Sequence, residues 1–241
     1  MKKIIIIGAS SGIGKALAKK YSDQGHTVGL AARRLPLLQE IQSQLSSESW
    51  LETIDVNKED SSEKLLQLIK LMGGVDIIII NAGIGNLNGD LSWKMGKKII
   101  DTNVSGFVNM ATTSYEYFKK QKSGQIVGIS SIAAILPMSI DPVYSASKAF
   151  VSNYLEGLRL YSEKQKDNIS ITDIRPGWVG TNLITNVREK FWIATTKKAA
   201  EQIYSAIEKK KPSAYITKRW AFAALLIKIL PGRILRFLTK S

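Results

Sequence analysis

Four consecutive isoleucines, Ile4 to Ile7, run directly into Gly8-Ala9-Ser10-Ser11-Gly12-Ile13-Gly14 and then into a helical pattern over Lys15–Ser22. An unbroken β-branched run is what a parallel strand covered on both faces requires, since an alternating strand would give every second side chain to water. Glycines in the turn permit a sharp reversal and a close approach of other atoms to the backbone. A helix that begins there offers unpaired N–H groups and the positive end of its dipole, which suits a phosphate. The spacing of Gly8, Gly12 and Gly14 is G-x-x-x-G-x-G. In a strand–turn–helix setting it reads as a nucleotide-binding turn in preference to a plain connection.

The same alternation continues. Strands are expected at Thr27–Ala32, Trp50–Val56, Val75–Ile80, after Gly124 (Ile126, Val127, Ile129), at Ile169–Ile174 and at Ala214–Thr217. Helical patterns fall between them at Leu37–Leu45, Glu63–Leu71, 92–121, from Asp141-Pro142 to about Lys166, and at Ala199–Lys210. Strands joined by helices build a parallel sheet with helices on both faces. No linker or internal repeat interrupts the pattern. The expectation is one doubly wound α/β domain over 1–217, followed by a helical tail over 218–241.

The chemistry is concentrated in residues 124–148, GQIVGISSIAAILPMSIDPVYSASK. The strand ends at Ser130-Ser131, a loop comes next, and the helix after it carries Tyr144 and Lys148, four residues apart on one helical face. A free tyrosine ionises near pH ~10 and exchanges protons poorly at neutrality. A cation within reach favours the phenolate and lowers that value by roughly 1–3 units. A tyrosine so placed can serve as acid to a carbonyl oxygen or base to an alcohol, with Ser131 donating a hydrogen bond to the same oxygen.

Ser-Ser at a strand end thirteen residues before Tyr-x-x-x-Lys, together with the glycine turn, resembles the short-chain dehydrogenase/reductase family. That resemblance implies a Rossmann-type fold and a catalytic set of Ser131, Tyr144 and Lys148. It adds Asn103, at the matching point of helix 92–121, as a fourth member that binds a water linking the lysine to solvent. It also implies a nicotinamide dinucleotide held by Gly8, Ser10, Ser11, Gly12, Ile13 and Gly14. Asp55 and Val56 would meet the adenine, and Asn81-Ala82-Gly83 would close the pocket. Tyr144 and Lys148 would reach the nicotinamide ribose, and the loop Pro176-Gly177-Trp178-Val179-Gly180-Thr181 would hold the carboxamide through Val179 and Thr181. Two positions depart from the family pattern: a threonine and an asparagine that tie the first and fourth strands are Ile7 and Ile80 here. Packing is expected to replace that link.

Cofactor choice turns on the residues just after the second strand. An acid there binds the ribose 2′-hydroxyl of NAD. This chain has Arg33 and Arg34, and a guanidinium suits a 2′-phosphate, so NADP(H) is expected over NAD(H). Ser10 and Ser11 are placed to share the contact. Segment 178–195, with Leu183, Ile184, Phe191, Trp192 and Ile193, stands where the family keeps its substrate lid, and its bulk suggests an apolar carbonyl or alcohol substrate. Two rival readings remain: a 3-oxoacyl carrier-protein reductase, and a nucleotide-sensing or scaffold protein that has lost turnover. Retention of Ser131, Tyr144, Lys148 and Asn103 disfavours the second. The resemblance further implies a dimer or tetramer, through helices 92–121 and 142–166.

Composition enters as exclusion. The chain has no cysteine and one histidine, His26, so neither a disulfide framework nor a thiolate metal site is expected. The opening MKKIIIIGAS is too short in its apolar part for a secretory signal, which needs ~7–15 such residues, and a cytoplasmic protein is expected. Net charge is +14, yet no acidic residue comes after Glu208 while nine lysines and arginines do. The charge belongs to the end of the chain, and no nucleic-acid module accompanies it. Residues 218–241, KRWAFAALLIKILPGRILRFLTKS, hold at most eight consecutive uncharged residues, far below the ~20 of a membrane span. They are expected to form an amphipathic tail suited to an anionic membrane surface or to protein packing.

Overall fold

The computed structural model describes residues 1–86, 91–181 and 192–229. Most of the lid segment and the end of the tail, expected above at 178–195 and 218–241, therefore lie outside the described residues.

The strands are β1 (Lys3–Ile7), β2 (Thr27–Ala32), β3 (Ser49–Thr53), β4 (Ile77–Ile80), β5 (Gly124–Ile129), β6 (Ile169–Pro176) and β7 (Ser213–Ile216). They form one parallel sheet ordered β3-β2-β1-β4-β5-β6-β7. Helices α1 (Gly12–Asp23), α2 (Leu35–Gln42), α3 (Ser61–Leu71), α4 (Trp93–Ile100), α5 (Phe107–Gln121), α6 (Pro142–Gln165), α7 (Thr196–Glu208) and α8 (Arg219–Ile229) cover it.

The isoleucine runs explain the layering. Successive strand side chains point to opposite faces. Ile4 and Ile6 enter one core with Leu17 of α1 and Ile203 of α7. Ile5 and Ile7 enter the other with Leu65 of α3, Phe118 of α5 and Leu155 of α6. Ile77–Ile80 repeats the arrangement next door, in register with β1. Each fully buried isoleucine contributes about 1.5–3 kcal/mol relative to exposure. Ile7 and Ile80 pair directly across the two strands, and both are buried. Packing thus occupies the place of the polar link, as expected, while Asn81 N–H still donates to the Ile7 carbonyl at 2.9 Å.

Several expectations need correction. Helix 92–121 is divided: α4 and α5 flank a widened π-turn at Asp101–Gly106. The turn carries Asn103, whose Oδ1 accepts from Ile84 N–H and whose Nδ2 donates to the Ile84 carbonyl, both at 2.8 Å. Bulges of this kind arise where a side chain is drawn out of the regular ladder. Asp55 and Val56 fall beyond β3, in a turn in which the Asp55 carboxylate accepts from Asn57 N–H at 3.2 Å. A short acidic side chain bonding to nearby backbone competes with strand pairing. Arg175 and Pro176, expected in the loop, finish β6, where a proline is tolerated because the strand is ending.

The tail begins with α8. Its Trp220 indole lies flush on Gly177, where a Cβ would collide with the ring, and meets Trp192 edge-on at 5.6 Å. Phe222, Leu225 and Leu226 of the same helix are exposed. The expected contrast of one apolar and one polar side is absent over Trp220–Ile227, because that stretch contains no charged residue to form a polar side. No helix among the described residues is long and apolar enough to cross a membrane. On α6, Phe150 stacks on Tyr154 at 6.0 Å, and Phe150, Leu160 and Tyr161 are exposed along the helix.

Candidate active site

In a parallel sheet the strand order reverses where chain crossovers leave in opposite directions, and a crevice opens there at the carboxyl ends. Here the reversal lies between β1 and β4. A cleft of about 400 Å³ opens at that point. The turn after β1 forms its floor. Gly8 has φ +92°, a left-handed conformation, and a Cβ on it would fall 2.6 Å from Ala82 N. Gly14 does not line the cleft; it packs α1 against the turn, since a Cβ there would strike the Gly8 carbonyl.

The N-terminus of α1 faces this cleft with no acid in its first turn, and the Ser11 hydroxyl does not cap it. Its leading N–H groups are thus left for an anion. Arg33 and Arg34 come after β2 at the same end, both exposed, and Arg34 Nη2 donates to Ser10 Oγ at 3.1 Å. A glycine cradle, an uncapped helix end and two guanidinium groups together fit a phosphorylated dinucleotide. Ser10, Ser11, Gly12, Ile13, Asp55, Val56, Asn81, Ala82 and Gly83 line one part of the cleft; Pro176, Gly177, Val179 and Thr181 line another. Asn81 Nδ2 donates to the Gly8 carbonyl at 2.8 Å, joining the β1 and β4 turns.

Ser131, Tyr144 and Lys148 meet in the same cleft. Asp141 caps α6: its Oδ1 accepts from Tyr144 N–H at 2.9 Å and its Oδ2 from Asn86 N–H at 2.5 Å. This cap fixes the first turn of the helix, and with it the tyrosine, against the loop after β4. Lys148 sits one turn on with Nζ 5.7 Å from the centre of the Tyr144 ring. Its ammonium donates to the Ile129 carbonyl at 2.9 Å. Ser131 Oγ accepts from Ala133 N–H at 3.1 Å, makes a long contact of 3.4 Å to the Pro176 carbonyl, and hydrogen-bonds with the Tyr144 hydroxyl, so serine and tyrosine hydroxyls face the same point in the cleft.

The electrostatics differ from the sequence expectation. Burial raises the Tyr144 pKa above its ordinary value; a hydrogen bond from Ser131 opposes the rise and the Asp141 charge adds to it. The expected net lowering by Lys148 is therefore not observed. Burial pulls Lys148 down to about 8, against the attraction of Asp173. The physical reason is the same for both: an enclosed site disfavours whichever form is charged. At neutral pH the phenol keeps its proton and the amine its charge, the state needed to protonate a carbonyl oxygen.

Asn103 does not line the cleft. Besides Ile84 its Nδ2 donates to Ser147 Oγ at 3.0 Å, so it clamps the loop after β4 to α6 from behind. Residues not singled out in the sequence also line the cleft: Ile84, Ile132, Met138 and Trp178, all apolar. Ile84, Met138 and Trp178 sit in loops and Ile132 in a single 3₁₀ turn, Ile132–Ala134, all too short or irregular for periodicity to mark them. Asp173 was legible only as an anomaly, an acid within a strand otherwise read as buried. Among the described residues no cluster of metal-ligating side chains occurs.

Comparison with known proteins agrees with this geometry. A family model described as short chain dehydrogenase matches residues 2–192. An uncharacterized oxidoreductase of Myxococcus xanthus is 32% identical over 235 residues, covering 95% of this chain and 92% of that protein. The NADP-dependent 3-hydroxy acid dehydrogenase YdfG of Shigella flexneri is 31% identical over 192 residues, covering 78% and 76%. Among solved structures, 3-ketoacyl-(acyl-carrier-protein) reductase from Brucella melitensis, complexed with NADH, superposes with a TM-score of 0.81. It is 20% identical, with 89% of this chain and 96% of that one covered, so the likeness is one of fold.

Proposed function

Because the chain belongs to the short-chain dehydrogenase family and is an oxidoreductase, we propose that it uses NADP(H) to interconvert a carbonyl and an alcohol on a bulky, apolar substrate. The observation that carries the reading is the convergence of Ser131, Tyr144 and Lys148 on one cleft with a phosphate-suited glycine turn and two arginines. NADP(H) would be held by the Gly8–Gly14 turn, the Asn81–Gly83 segment and the Pro176–Thr181 loop, with Arg33, Arg34 and Ser10 on its 2′-phosphate. Bound there, it supplies or accepts the hydride.

The protein's own part is proton transfer and positioning. Ser131 holds the substrate oxygen by a hydrogen bond. In reduction the Tyr144 hydroxyl gives its proton to that oxygen; in oxidation the phenolate takes it back. Lys148, charged below about pH 8, steadies the phenolate that forms. Asn103 and Asp141 hold the loop and helix that carry these groups. The apolar side chains of Ile84, Ile132, Met138 and Trp178 favour a hydrophobic substrate. The relatives' names support the reading at a distance, since YdfG is NADP-dependent. The reading extends to self-association through the exposed face of α6 and to contact of α8 with an anionic membrane surface.

Steady-state turnover with NADPH and NADH against apolar ketones, aldehydes and 3-oxoacyl thioesters, free and carrier-linked, tests it, with sedimentation in parallel. The expected result is reduction of an apolar carbonyl with higher kcat/KM for NADPH, by at least a dimer. No turnover with either cofactor across the panel would overturn it, and activity confined to carrier-linked thioesters would replace the substrate class.

A further inference from the structure

Asp173 is a carboxylate in the middle of a parallel strand, and it is 1% exposed. An acid so buried requires donors, and three converge on it. Ser130 Oγ, at the end of β5, donates to Oδ1 at 2.5 Å. Ser152 Oγ, one turn beyond Lys148 on α6, donates to Oδ2 at 2.7 Å. Arg175 Nε donates to Oδ2 at 2.6 Å, while its Nη2 reaches Ser152 Oγ at 2.8 Å and its Nη1 the Tyr215 hydroxyl at 3.1 Å. The carboxylate therefore joins the strand end that carries Ser131 to the helix that carries Tyr144 and Lys148.

The three residues at that strand end are each tied down. The Ile129 carbonyl accepts from Lys148 Nζ at 2.9 Å. Ser130 is held through its side chain by Asp173 and through its N–H by the Ile174 carbonyl at 2.8 Å. Ser131 contacts the Pro176 carbonyl and Ala133. Lys148 itself is 6% exposed and has no carboxylate within salt-bridge distance among the described residues. Among the described residues the charge acting on it is Asp173 of β6, itself paired with Arg175, whose Nη1 reaches the Tyr215 hydroxyl; the Tyr144 ring lies 5.7 Å from Nζ, and Asp141 acts on that tyrosine. On the side of the loop after β4, a Cβ on Gly83 would lie 3.3 Å from both Lys148 Nζ and Asn103 Oδ1, and neither Gly83 nor Asn103 is charged.

We propose that Asp173 is a positioning residue for proton transfer: it fixes the Ser130–Ser131 strand end and supplies the negative charge against which Lys148 stays ammonium inside the fold. The proposal rests on the reading of Tyr144 and Lys148 as the proton-transferring pair. Among the described residues Asp173 is the charge that opposes the effect of burial on Lys148, whose pKa is pulled down to about 8. Removing it lowers the proton affinity of Lys148, which loses the negative charge that opposes its burial.

Reduction needs Tyr144 protonated and Lys148 charged, so kcat/KM is flat at neutral pH and falls on an alkaline limb that belongs to the coupled pair. Asp173→Asn should move this limb down by roughly one unit, the lower end of what a nearby charge does to a pKa. At a pH one unit above the displaced limb, activity should be about tenfold below the variant's own plateau. Asp173→Glu should restore the limb. Ser130→Ala, which leaves the charge, should lower the plateau without moving the limb.

Asp173→Asn leaves Arg175 unpaired and can fail to fold. The doubly neutral Asp173→Asn/Arg175→Gln variant leaves no ion buried alone and should still shift the limb downward, by less. Either folded variant with an unmoved limb overturns the proposal, as does Ser130→Ala showing the same limb movement as Asp173→Asn. Tyr144→Phe run in the same assay separates the two levels. Undiminished turnover there would refute the proton-transferring pair, whereas an inactive Tyr144→Phe with an unmoved Asp173→Asn limb would refute only the role of Asp173.

Discussion

Ser131, Tyr144 and Lys148 are spread over eighteen positions, yet strand end and helix turn bring them into one cleft. Spacing on a helix is legible, and so is the chemistry of a side chain. Burial is not, and burial decided the direction for Tyr144: its phenol is held protonated, and Lys148 is weakened as an ammonium. Asp141 and Asp173 escaped notice for the same reason, since each draws its role from partners more than forty residues away or from another element. After β2, Arg34 is turned toward Ser10, and Arg33 stands exposed beside it. A hydrogen bond to a charged group contributes about 1.5–3 kcal/mol, so Arg33→Ala should weaken NADPH roughly ten- to hundredfold and leave NADH nearly unchanged. Titration of both cofactors by nicotinamide fluorescence checks this. Equal losses for the two would mean that Arg33 acts through packing.

At the scale of elements, the sequence located each described strand to within a few residues, most sharply β1, β4 and β5, where isoleucine and valine runs leave little choice. Ends were less legible. β3 stops at Thr53 once Asp55 turns the backbone, and β6 continues through Arg175 because its neighbour β7 is present to pair with it. The π-turn was invisible, since nothing in DTNVSG distinguishes it from helix until Asn103 meets Ile84. For α8, the sequence showed an apolar stretch but not which of its residues pack and which stay exposed. Trp220 anchors the helix to Gly177 while Phe222, Leu225 and Leu226 stay exposed. With no acid after Glu208, a basic and apolar end of this kind suits an anionic bilayer surface. Full-length protein should therefore pellet with vesicles containing anionic phospholipid and be released by salt, because surface attraction is screened over about 10 Å at 0.1 M. Phe222→Ser/Leu226→Ser, which leaves Trp220 in place, should remain in solution. Equal pelleting of the two proteins, or none by either, would assign α8 to protein packing.

At the scale of the whole molecule, alternation of strands and helices implied a parallel sheet with helices on both faces, and the order β3-β2-β1-β4-β5-β6-β7 is one arrangement that satisfies it. The order itself depends on which buried faces match, Ile4–Ile7 against Ile77–Ile80 above all, and a single sequence does not state such matches. Once the order is set, the position of the cleft is set too: the reversal between β1 and β4 opens a crevice, and the glycine turn, the Asn81–Gly83 segment and the Tyr144 helix all terminate there. The central claim is that this crevice performs carbonyl reduction with the Tyr144 hydroxyl as proton donor. The most direct measurement is kcat with NADPH for wild type and Tyr144→Phe on the best carbonyl substrate, alongside the NADPH dissociation constant of each. Loss of one hydroxyl should leave cofactor binding unchanged and lower kcat by about 10²–10⁴. A phenylalanine variant that binds NADPH normally and turns over at half the wild-type rate would contradict the account.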